Sequence, residues 1–237
     1  MIFAGILAGG IGSRMGSTEL PKQFLLLGTK PIIIHTIEKF LLNIKIDKIY
    51  IGVPKDWKLY LDDLILKFIG ENNKIETLVG GRDRNDTIMN IIKVIQNKYG
   101  ENEDDFIITH DAVRPFVTSK IIDENIEKVL EFKACDTVIP AIDTIVVSTD
   151  NKIITEIPER RYMYQGQTPQ SFQINLLKKL YDQLNENEKK ILTDACKICV
   201  VKNTPVYLIE GMIENLKITT PGDYKIAKAM IGGINDK

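Results

Sequence analysis

Cysteine, histidine and tryptophan are scarce in this sequence: three cysteines, two histidines and one tryptophan occur in 237 residues. Three cysteines cannot build the paired disulfide framework of a small secreted protein, and no charged-then-apolar export segment precedes the first apolar run. We therefore expect a cytoplasmic protein. The spacing of Cys196 and Cys199 would suit zinc or a redox pair, but no second cysteine pair accompanies it, which favours buried helical cysteines.

The sequence also lacks an excess of charge and any long apolar run. Its formal net charge is -1 at pH 7, whereas proteins that coat nucleic acids carry clustered Lys and Arg to offset backbone phosphates. No apolar stretch approaches the roughly 20 residues that span a bilayer. We therefore expect neither a nucleic-acid partner nor a membrane anchor. With 44% hydrophobic residues, residues 1–237 are predicted to form one α/β domain with a substantial core.

What the sequence does contain is an alternation of short β-rich runs with helical patterns. The clearest helical pattern ends at Gly100 and carries four isoleucines on one face: Ile88, Ile91, Ile92 and Ile95. Such alternation predicts a Rossmann-like, mostly parallel sheet with helices on both faces and ligands beyond the carboxyl ends of the strands. The predicted strands are Ile2–Leu7, Lys48–Val53, Lys74–Val79, Phe106–Thr109, Thr137–Pro140 and Val206–Glu210, and the predicted helices are Pro31–Leu42, Asp56–Ile69, Thr87–Tyr99, Thr118–Phe132, Ile174–Gln183, Thr193–Val201 and one after Pro221.

The first predicted strand runs into a glycine-rich turn that is typical of phosphate binding. The turn reads Ala8-Gly9-Gly10-Ile11-Gly12-Ser13-Arg14-Met15-Gly16, and Pro21-Lys22-Gln23 follows it. Glycines let backbone N–H groups approach a phosphate chain, while Arg14 and Lys22 supply positive charge for a triphosphate. A Walker-type loop would need Lys-Ser or Lys-Thr after its last glycine, and a dinucleotide fingerprint would need closer glycine spacing. The glycines alone would fit an ordinary surface turn, but the two cations favour phosphate binding.

Two further loops follow predicted strands at the same expected edge of the sheet. Gly80-Gly81-Arg82-Asp83-Arg84-Asn85-Asp86-Thr87 opens a helix whose N-terminal dipole favours an anion, although a plain helix cap would look similar. His110-Asp111-Ala112-Val113-Arg114-Pro115 places a carboxylate where it could hold Mg²⁺ or orient a substrate, or simply cap the next turn. His110 has no nucleophile to activate, so a catalytic triad is not supported.

After Pro140 the alternation breaks, and residues 143–148 and 152–157 are predicted to form a hairpin around Ser148-Thr149-Asp150-Asn151. This inserted β-arm, at about residues 141–165, has too little core to be stable alone, so we expect it to pack on a second copy of the chain. Near the C-terminus, Lys217 could neutralise a phosphate, although a lone lysine is more often a surface charge.

Taken in order, these segments resemble the sugar- and polyol-phosphate cytidylyltransferases, a family that includes methylerythritol-phosphate and ribitol-5-phosphate enzymes. The matching segments are Leu7-Ala8-Gly9-Gly10-x-Gly12-x-Arg14-Met15-Gly16, Pro21-Lys22-Gln23, Gly80-Gly81-x-x-Arg84, His110-Asp111-Ala112-x-Arg114-Pro115, Thr168-Pro169-Gln170, Thr193-Asp194-Ala195 and Lys217-Ile218-Thr219. The ribitol-5-phosphate branch looks most similar, through Asp111-Ala112-Val113-Arg114-Pro115-Phe116, Tyr164-Gln165-Gly166-Gln167-Thr168-Pro169-Gln170-Ser171-Phe172 and Thr193-Asp194-Ala195-Cys196-Lys197-Ile198-Cys199. The methylerythritol branch more usually has a second alanine in place of Val113.

The resemblance implies an enzyme that uses CTP, a polyol phosphate and Mg²⁺ or another divalent cation, and that forms a homodimer through the arm. With D-ribitol 5-phosphate the products are CDP-ribitol and pyrophosphate, and CDP-ribitol feeds teichoic-acid-type cell-wall polymers. The alternative acceptor is 2-C-methyl-D-erythritol 4-phosphate of isoprenoid synthesis. A non-catalytic nucleotide-binding protein is the remoter alternative.

The resemblance also implies a role for individual residues. Arg14, Lys22 and Lys217 would act on the reacting phosphates, and Asp111 would orient the substrate or hold the metal ion. CTP contacts are implied for Leu7, Ala8, Gly9, Gly10, Gly81, Arg84, Asn85, Thr87 and Ala112. Acceptor contacts are implied for Asp111, Thr144, Arg160 and Thr193, with Arg160 or its neighbour Arg161 reaching into the site of the neighbouring subunit.

Overall fold

The computed structural model describes residues 1–10 and 20–235 of the chain. Its strands are β1 Ile2–Leu7, β2 Leu26–Leu27, β3 Lys30–Pro31, β4 Lys48–Val53, β5 Ile75–Val79, β6 Phe106–Asp111, β7 Ala134–Pro140, β8 Tyr164–Gln173 and β9 Tyr207–Glu210. Its α-helices are α1 Ile32–Leu41, α2 Lys58–Phe68, α3 Arg84–Tyr99, α4 Ser119–Phe132, α5 Ile174–Asp182, α6 Glu186–Lys190, α7 Cys196–Val201 and α8 Pro221–Asn235. Short 3-10 turns lie at Lys22–Phe24, Lys55–Trp57 and Arg160–Tyr162.

Seven of the strands form one mixed sheet in the order β5-β4-β1-β6-β8-β7-β9. β1 pairs in parallel with β4 on one side and with β6 on the other, so Leu7 lies level with both Gly52 and Asp111. β8 runs antiparallel to both of its neighbours. The sheet is thus mostly parallel, as predicted, and its central strands end at one common edge.

Helices cover both faces of this sheet, which confirms the predicted fold class. One buried cluster joins the strands to α1, α2 and α4, and the other joins them to α3, α5 and α7. The predicted isoleucine face of α3 is buried, as Ile88 and Ile91 show. Both faces are apolar because parallel strands covered on two sides expose neither face to water. Within the described part of the chain, no helix has the length and apolar content needed to cross a membrane.

The main difference from the predicted fold is the strand β8. Its ten residues, Tyr164–Gln173, are largely polar and contain Pro169, so they carry no apolar alternation that would mark a strand. They are buried from Gln167 onward because side-chain hydrogen bonds satisfy their polar groups, as in the pair of Ser171 Oγ and Asn125 Oδ1. The predicted helix at Thr193 was also wrong at its start, since α7 begins at Cys196. The helix α6 was not predicted.

The segment between β7 and β8 contains the predicted arm. Its two extended parts meet at a single antiparallel bridge between Val147 and Glu156. The turn between them is held by Asp150, whose carboxylate accepts hydrogen bonds from the N–H groups of Lys152 and Ile153, each at 2.9 Å. The pairing is therefore shorter than the hairpin that the sequence predicts, while the turn is where it was expected.

Candidate active site

A cavity lies at the edge of the sheet where β1, β5 and β6 end. This is the place where parallel α/β sheets bind their ligands. All three loops that the sequence singles out contribute to its wall. The lining residues are Leu7, Ala8, Gly9, Gly10, Lys22, Gln23, Gly81, Arg82, Asp83, Arg84, Thr87, Asp111, Ala112, Val113 and Lys217.

The glycine-rich side of the cavity is fixed by hydrogen bonds to the backbone of Ala8. Its N–H donates to the carbonyl of Gly52 at 2.8 Å, and its carbonyl accepts a hydrogen bond from Gln23 Nε2 at 2.8 Å. Gln23 is buried, so this bond ties the turn that carries Lys22 to the end of β1. No role is assigned to Gln23 from the sequence, although its position directly after Lys22 could have indicated that it helps to hold this turn. Arg14 lies outside the described residues.

The second wall of the cavity is the N-terminus of α3. Asp83 caps the helix, because its Oδ1 accepts a hydrogen bond from the N–H of Asp86 at 2.8 Å. Thr87 Oγ1 accepts from the N–H of Gly81 at 2.9 Å and donates to the carbonyl of Asp83 at 2.8 Å. A Cβ atom on Gly81 would lie 2.6 Å from the carbonyl carbon of Asp86, so only glycine fits at this position. Asn85 is buried beside the loop and is not among the lining residues.

Three cations converge on the buried carboxylate of Asp111. Lys217 Nζ lies 2.9 Å from Oδ2, and Arg114 Nε lies 3.6 Å from the same oxygen. Arg84 Nε contacts Oδ1 at 3.5 Å. Arg84 Nη1 and Nη2 are buried and have no hydrogen-bond partner among the described residues. One carboxylate against three cations leaves a net positive centre in the cavity, which suits a bound polyanion.

The cations also determine the charge state of Asp111. Burial alone would raise its pKa, but the positive charges of Arg84, Lys217 and Arg114 outweigh burial and hold the pKa of this carboxyl well below its usual range. Asp111 is therefore ionised throughout the neutral range and orients the three cations around it.

His110, next to Asp111, is a structural residue. Its Nε2–H donates to the carbonyl of Arg114 at 3.1 Å, because a carbonyl can only accept, and Nδ1 then accepts from Thr168 Oγ1 at 3.0 Å. The same Thr168 oxygen accepts a hydrogen bond from the N–H of Asp111 at 3.2 Å. Burial lowers the pKa of His110 to about 4, so its imidazole is neutral at pH 7.

Lys217 reaches the cavity from a segment that is anchored on both sides. Before it, the carbonyl of Asn215 accepts a hydrogen bond from Arg114 Nη1 at 2.6 Å, and Asn215 Nδ2 donates to the carbonyl of Thr168 at 2.8 Å. After it, the N–H of Ile218 donates to the carbonyl of Val113 at 3.0 Å. Lys217 is thus more than a surface charge, since buried polar contacts hold its backbone beside Asp111.

The donor set of the cavity fits a nucleotide-bound metal ion. Among the described residues, no group of three or more His, Cys, Asp or Glu side chains could hold a metal ion. Mg²⁺ is commonly held by one or two carboxylates together with substrate phosphates and water. Asp111 supplies one carboxylate in the cavity, so the phosphate oxygens of a bound nucleotide would have to supply further ligands.

The residues implied for the acceptor are not brought into this cavity. Thr144, Arg160 and Thr193 are exposed, and none is among the lining residues. Arg160 Nη1 donates to the carbonyl of Ile142 at 2.9 Å within the arm. The ion pair of Arg161 Nε with Glu159 Oε1, at 2.8 Å, is also local. The acceptor contacts implied for Thr144 and Thr193, and the implied reach of Arg160 or Arg161 into a neighbouring subunit, therefore stay predictions.

The cysteines take no part in the cavity. Cys135, Cys196 and Cys199 are buried and form no disulfide. Burial raises the pKa of the Cys199 thiol to about 12, so it is protonated at neutral pH. The sequence-based preference for buried helical cysteines at 196 and 199 is confirmed.

Comparisons with known proteins agree with this geometry. The family model of 2-C-methyl-D-erythritol 4-phosphate cytidylyltransferase (IspD) matches residues 2–233. The fold is similar to that of 4-diphosphocytidyl-2C-methyl-D-erythritol synthase from Anaerococcus prevotii, with a TM-score of 0.79, 24% identity, and coverage of 98% of this chain and 96% of that one. It is also similar to 2-C-methyl-D-erythritol 4-phosphate cytidylyltransferase from Francisella tularensis, with a TM-score of 0.79, 26% identity, and coverage of 96% and 98%.

The corresponding enzyme from Thermus thermophilus has a TM-score of 0.72 and 21% identity, with coverage of 97% of this chain and 98% of that one. Sequence identities of this size support only a shared fold. The family model matches nearly the whole chain, and this match shows the reaction type. The chain therefore belongs to the IspD cytidylyltransferase family, and it is a nucleotidyltransferase.

Proposed function

We propose that this cytidylyltransferase transfers the cytidylyl group of CTP to D-ribitol 5-phosphate, giving CDP-ribitol and pyrophosphate for teichoic-acid-type polymers. One observation carries the transfer reaction: a single cavity combines the glycine loop, the N-terminus of α3 and the cations Lys22, Arg84 and Lys217. A helix N-terminus and backbone amides suit the phosphates of CTP, and the cations suit the charge that develops during transfer.

The reaction needs positioning more than acid–base chemistry. A phosphate oxygen of the acceptor attacks the α-phosphorus of CTP, and the bond from that phosphorus to the oxygen bridging the α- and β-phosphates breaks, so pyrophosphate leaves. A phosphate monoester has its second pKa near 6, so at pH 7 the nucleophile is largely ionised without a general base. A neutral, buried His110 fits this scheme, because no residue has to remove a proton.

In this scheme different cavity residues act on the two polyanions, CTP and the acceptor phosphate. Lys22, together with Arg14 as the sequence predicts, would stabilise charge on the α-phosphate, while Lys217 would bind the phosphate of the acceptor. Asp111 holds Lys217 at 2.9 Å in the free protein and would orient it. Asp111 and the nucleotide phosphates would hold Mg²⁺ when it is bound, and the ion would neutralise triphosphate charge.

Two observations bear on which polyol phosphate is the acceptor, and they favour different candidates. The names of the matching family and of the similar structures favour the second candidate, 2-C-methyl-D-erythritol 4-phosphate, over ribitol 5-phosphate. The side chain of Val113 favours ribitol 5-phosphate. Val113 is buried in the cavity wall, where it packs with Ile218, and valine fills more of this space than the alanine more usual in methylerythritol enzymes. A bulkier wall suits an unbranched chain better than one with a methyl branch.

A parallel assay of both acceptors tests the proposal. With CTP and Mg²⁺, we expect pyrophosphate release with a higher kcat/KM for D-ribitol 5-phosphate, and mass spectrometry should identify CDP-ribitol. Val113→Ala should shift the ratio of the two kcat/KM values toward methylerythritol phosphate by roughly tenfold, the scale of a small change in an apolar wall. A wild-type preference for methylerythritol phosphate would make the second candidate correct. If neither polyol phosphate releases pyrophosphate, polyols are the wrong acceptors.

We also propose that the arm joins two copies of the chain into a homodimer. The support is a set of exposed apolar side chains on the arm, since contiguous exposed apolar surface is typical of interfaces: Ile142, Val146, Ile153, Ile154, Ile157 and Tyr162. Thr144 and Arg160 lie on the same arm and would reach the neighbouring site. Analytical ultracentrifugation should find a dimer that Ile153→Asp with Ile157→Asp dissociates. A fully active monomer would contradict the proposal.

A further inference from the structure

Two carboxylates outside the cavity share the amide of one buried glutamine. Gln170 Nε2 donates to Asp136 Oδ1 at 3.0 Å and to Asp194 Oδ2 at 2.9 Å. Gln170 is 1% exposed, and its Oε1 has no hydrogen-bond partner among the described residues. No step of the proposed reaction uses Asp136, so this arrangement needs a separate explanation.

The shared amide connects the sheet to the loop that precedes α7. Asp136 in β7 lies opposite Gln170 in β8, so both side chains stand on rigid strands. Asp194 lies in the loop, and its second oxygen, Oδ1, accepts a hydrogen bond from the N–H of Lys197 at 2.9 Å. Asp194 is therefore held from both sides, and its neighbour Thr193 is held with it.

The arrangement is electrostatically costly at neutral pH. Burial raises the pKa of the Asp136 carboxyl to about 6; the hydrogen bond from Gln170 opposes this rise, and the charge of Asp194 adds to it. The other groups that act on Asp136 are the Cys196 thiol, at the start of α7, and the Arg84 guanidinium, at the start of α3. Because the pKa of Asp136 is higher in the folded than in the unfolded state, the stability that this carboxyl contributes at low pH is lost as the pH rises through 6. Such a cost is typical of a residue with a functional task.

We propose that Asp136 is a positioning residue for the acceptor: through Gln170 it holds Asp194 and so fixes Thr193 relative to the sheet. This inference rests on the proposed function, because the acceptor contact of Thr193, which the resemblance implies, is expected only if the chain uses a polyol phosphate. Without Asp136, the Gln170 amide keeps one of its two acceptors and can turn away from Asp194. The loop before α7 would then move independently of β8.

The test compares three variants by hydrogen exchange and by kinetics. In Asp136→Ala we expect faster exchange of the Lys197 amide and a KM for the polyol phosphate raised about fivefold to tenfold, the scale of one lost hydrogen bond. The KM for CTP should stay within about twofold of the wild-type value, since the hydrogen bonds of Gln170 to Asp136 and Asp194 do not reach the nucleotide loops and the charge of Arg84 acts on Asp136 only weakly. Asp136→Asn should restore both properties, because its amide oxygen can still accept from Gln170. Asp182→Ala, an exposed position at the end of α5, is the matched control and should change neither property.

The two readouts separate failure of this inference from failure of the proposed function. Unchanged hydrogen exchange of the Lys197 amide in folded Asp136→Ala would show that Asp136 does not hold the loop through Gln170, whatever the activity. Faster exchange with an unchanged acceptor KM, or equal rises in both KM values, overturns its role in acceptor binding. If wild-type protein turns over neither polyol phosphate, the proposed function fails, and the exchange result alone decides whether Asp136 holds the loop. Should Asp136→Ala not fold, Gln170→Leu is measured in its place, with the same outcomes.

Discussion

Lys22→Ala is expected to lower kcat by about two to three orders of magnitude while the protein stays folded. The loss follows from removing a preorganised cation that stabilises charge on the α-phosphate, an interaction of about this size in other enzymes. Folding should survive because the turn is anchored by other side chains. Gln23 binds the carbonyl of Ala8, and the buried ring of Phe24 packs against Trp57 and Tyr60 at centroid distances of 5.4 and 5.1 Å.

Initial rates of pyrophosphate release over a range of CTP and acceptor concentrations measure this loss. Lys39→Ala removes a lysine from the exposed side of α1 and should leave kcat unchanged, while Lys22→Arg keeps the charge and should recover part of the rate. Arg14→Ala is expected to resemble Lys22→Ala. Circular dichroism and Tm confirm that each variant is folded. Near-normal turnover in Lys22→Ala would remove this residue from the catalytic group.

The parallel part of the fold could be predicted because each strand there is a short apolar run between turns. The bounds of β1 and β4 agree with those predicted, and β6 continues only two residues beyond the predicted Thr109. Once a parallel sheet is predicted, the loops after its strands must meet at one edge. For this reason the sequence predicts Gly81, Arg84 and Asp111 in one site, and all three line the cavity.

Features that depend on contacts between distant segments could not be predicted. The strand β8 is polar, and its burial depends on partners such as Asn125 and Asp136 on other elements. Of the three cations around Asp111, Arg114 lies in the same loop, but Arg84 and Lys217 come from distant segments, and no local pattern pairs them with Asp111. Thr193 is exposed and does not line the cavity, so its acceptor role, which only the resemblance implies, stays a prediction. Local sequence reports propensity and periodicity, whereas these features arise from tertiary contacts.

The second large effect is expected at Asp111, where Asp111→Asn should lower the free energy of unfolding by about 2–3 kcal/mol at pH 7. Removing one partner from a buried ion pair costs about 3–5 kcal/mol, and the cost here is smaller because the Lys217 side chain is 41% exposed and partly screened by water. The asparagine keeps the shape of the side chain, so the loss reports the charge that balances Arg84 and Arg114. Turnover should also fall, since Lys217 loses the group that orients it.

The pH dependence of this effect distinguishes a charge from a packing defect. The pKa of Asp111 is lowered in the folded protein, so the stability it supplies is present above its unfolded pKa of about 4 and is lost as the pH falls toward the folded value. Urea unfolding at pH 7, 5 and 3 should therefore show a difference between wild type and Asp111→Asn that narrows with acidity. Asp123→Asn, at a half-buried aspartate on α4, should differ little from wild type at each pH. If the difference in the free energy of unfolding stays constant across this range, the shape of Asp111 and not its charge is what matters. The grouping of Arg84, Arg114 and Lys217 around it would then need another explanation.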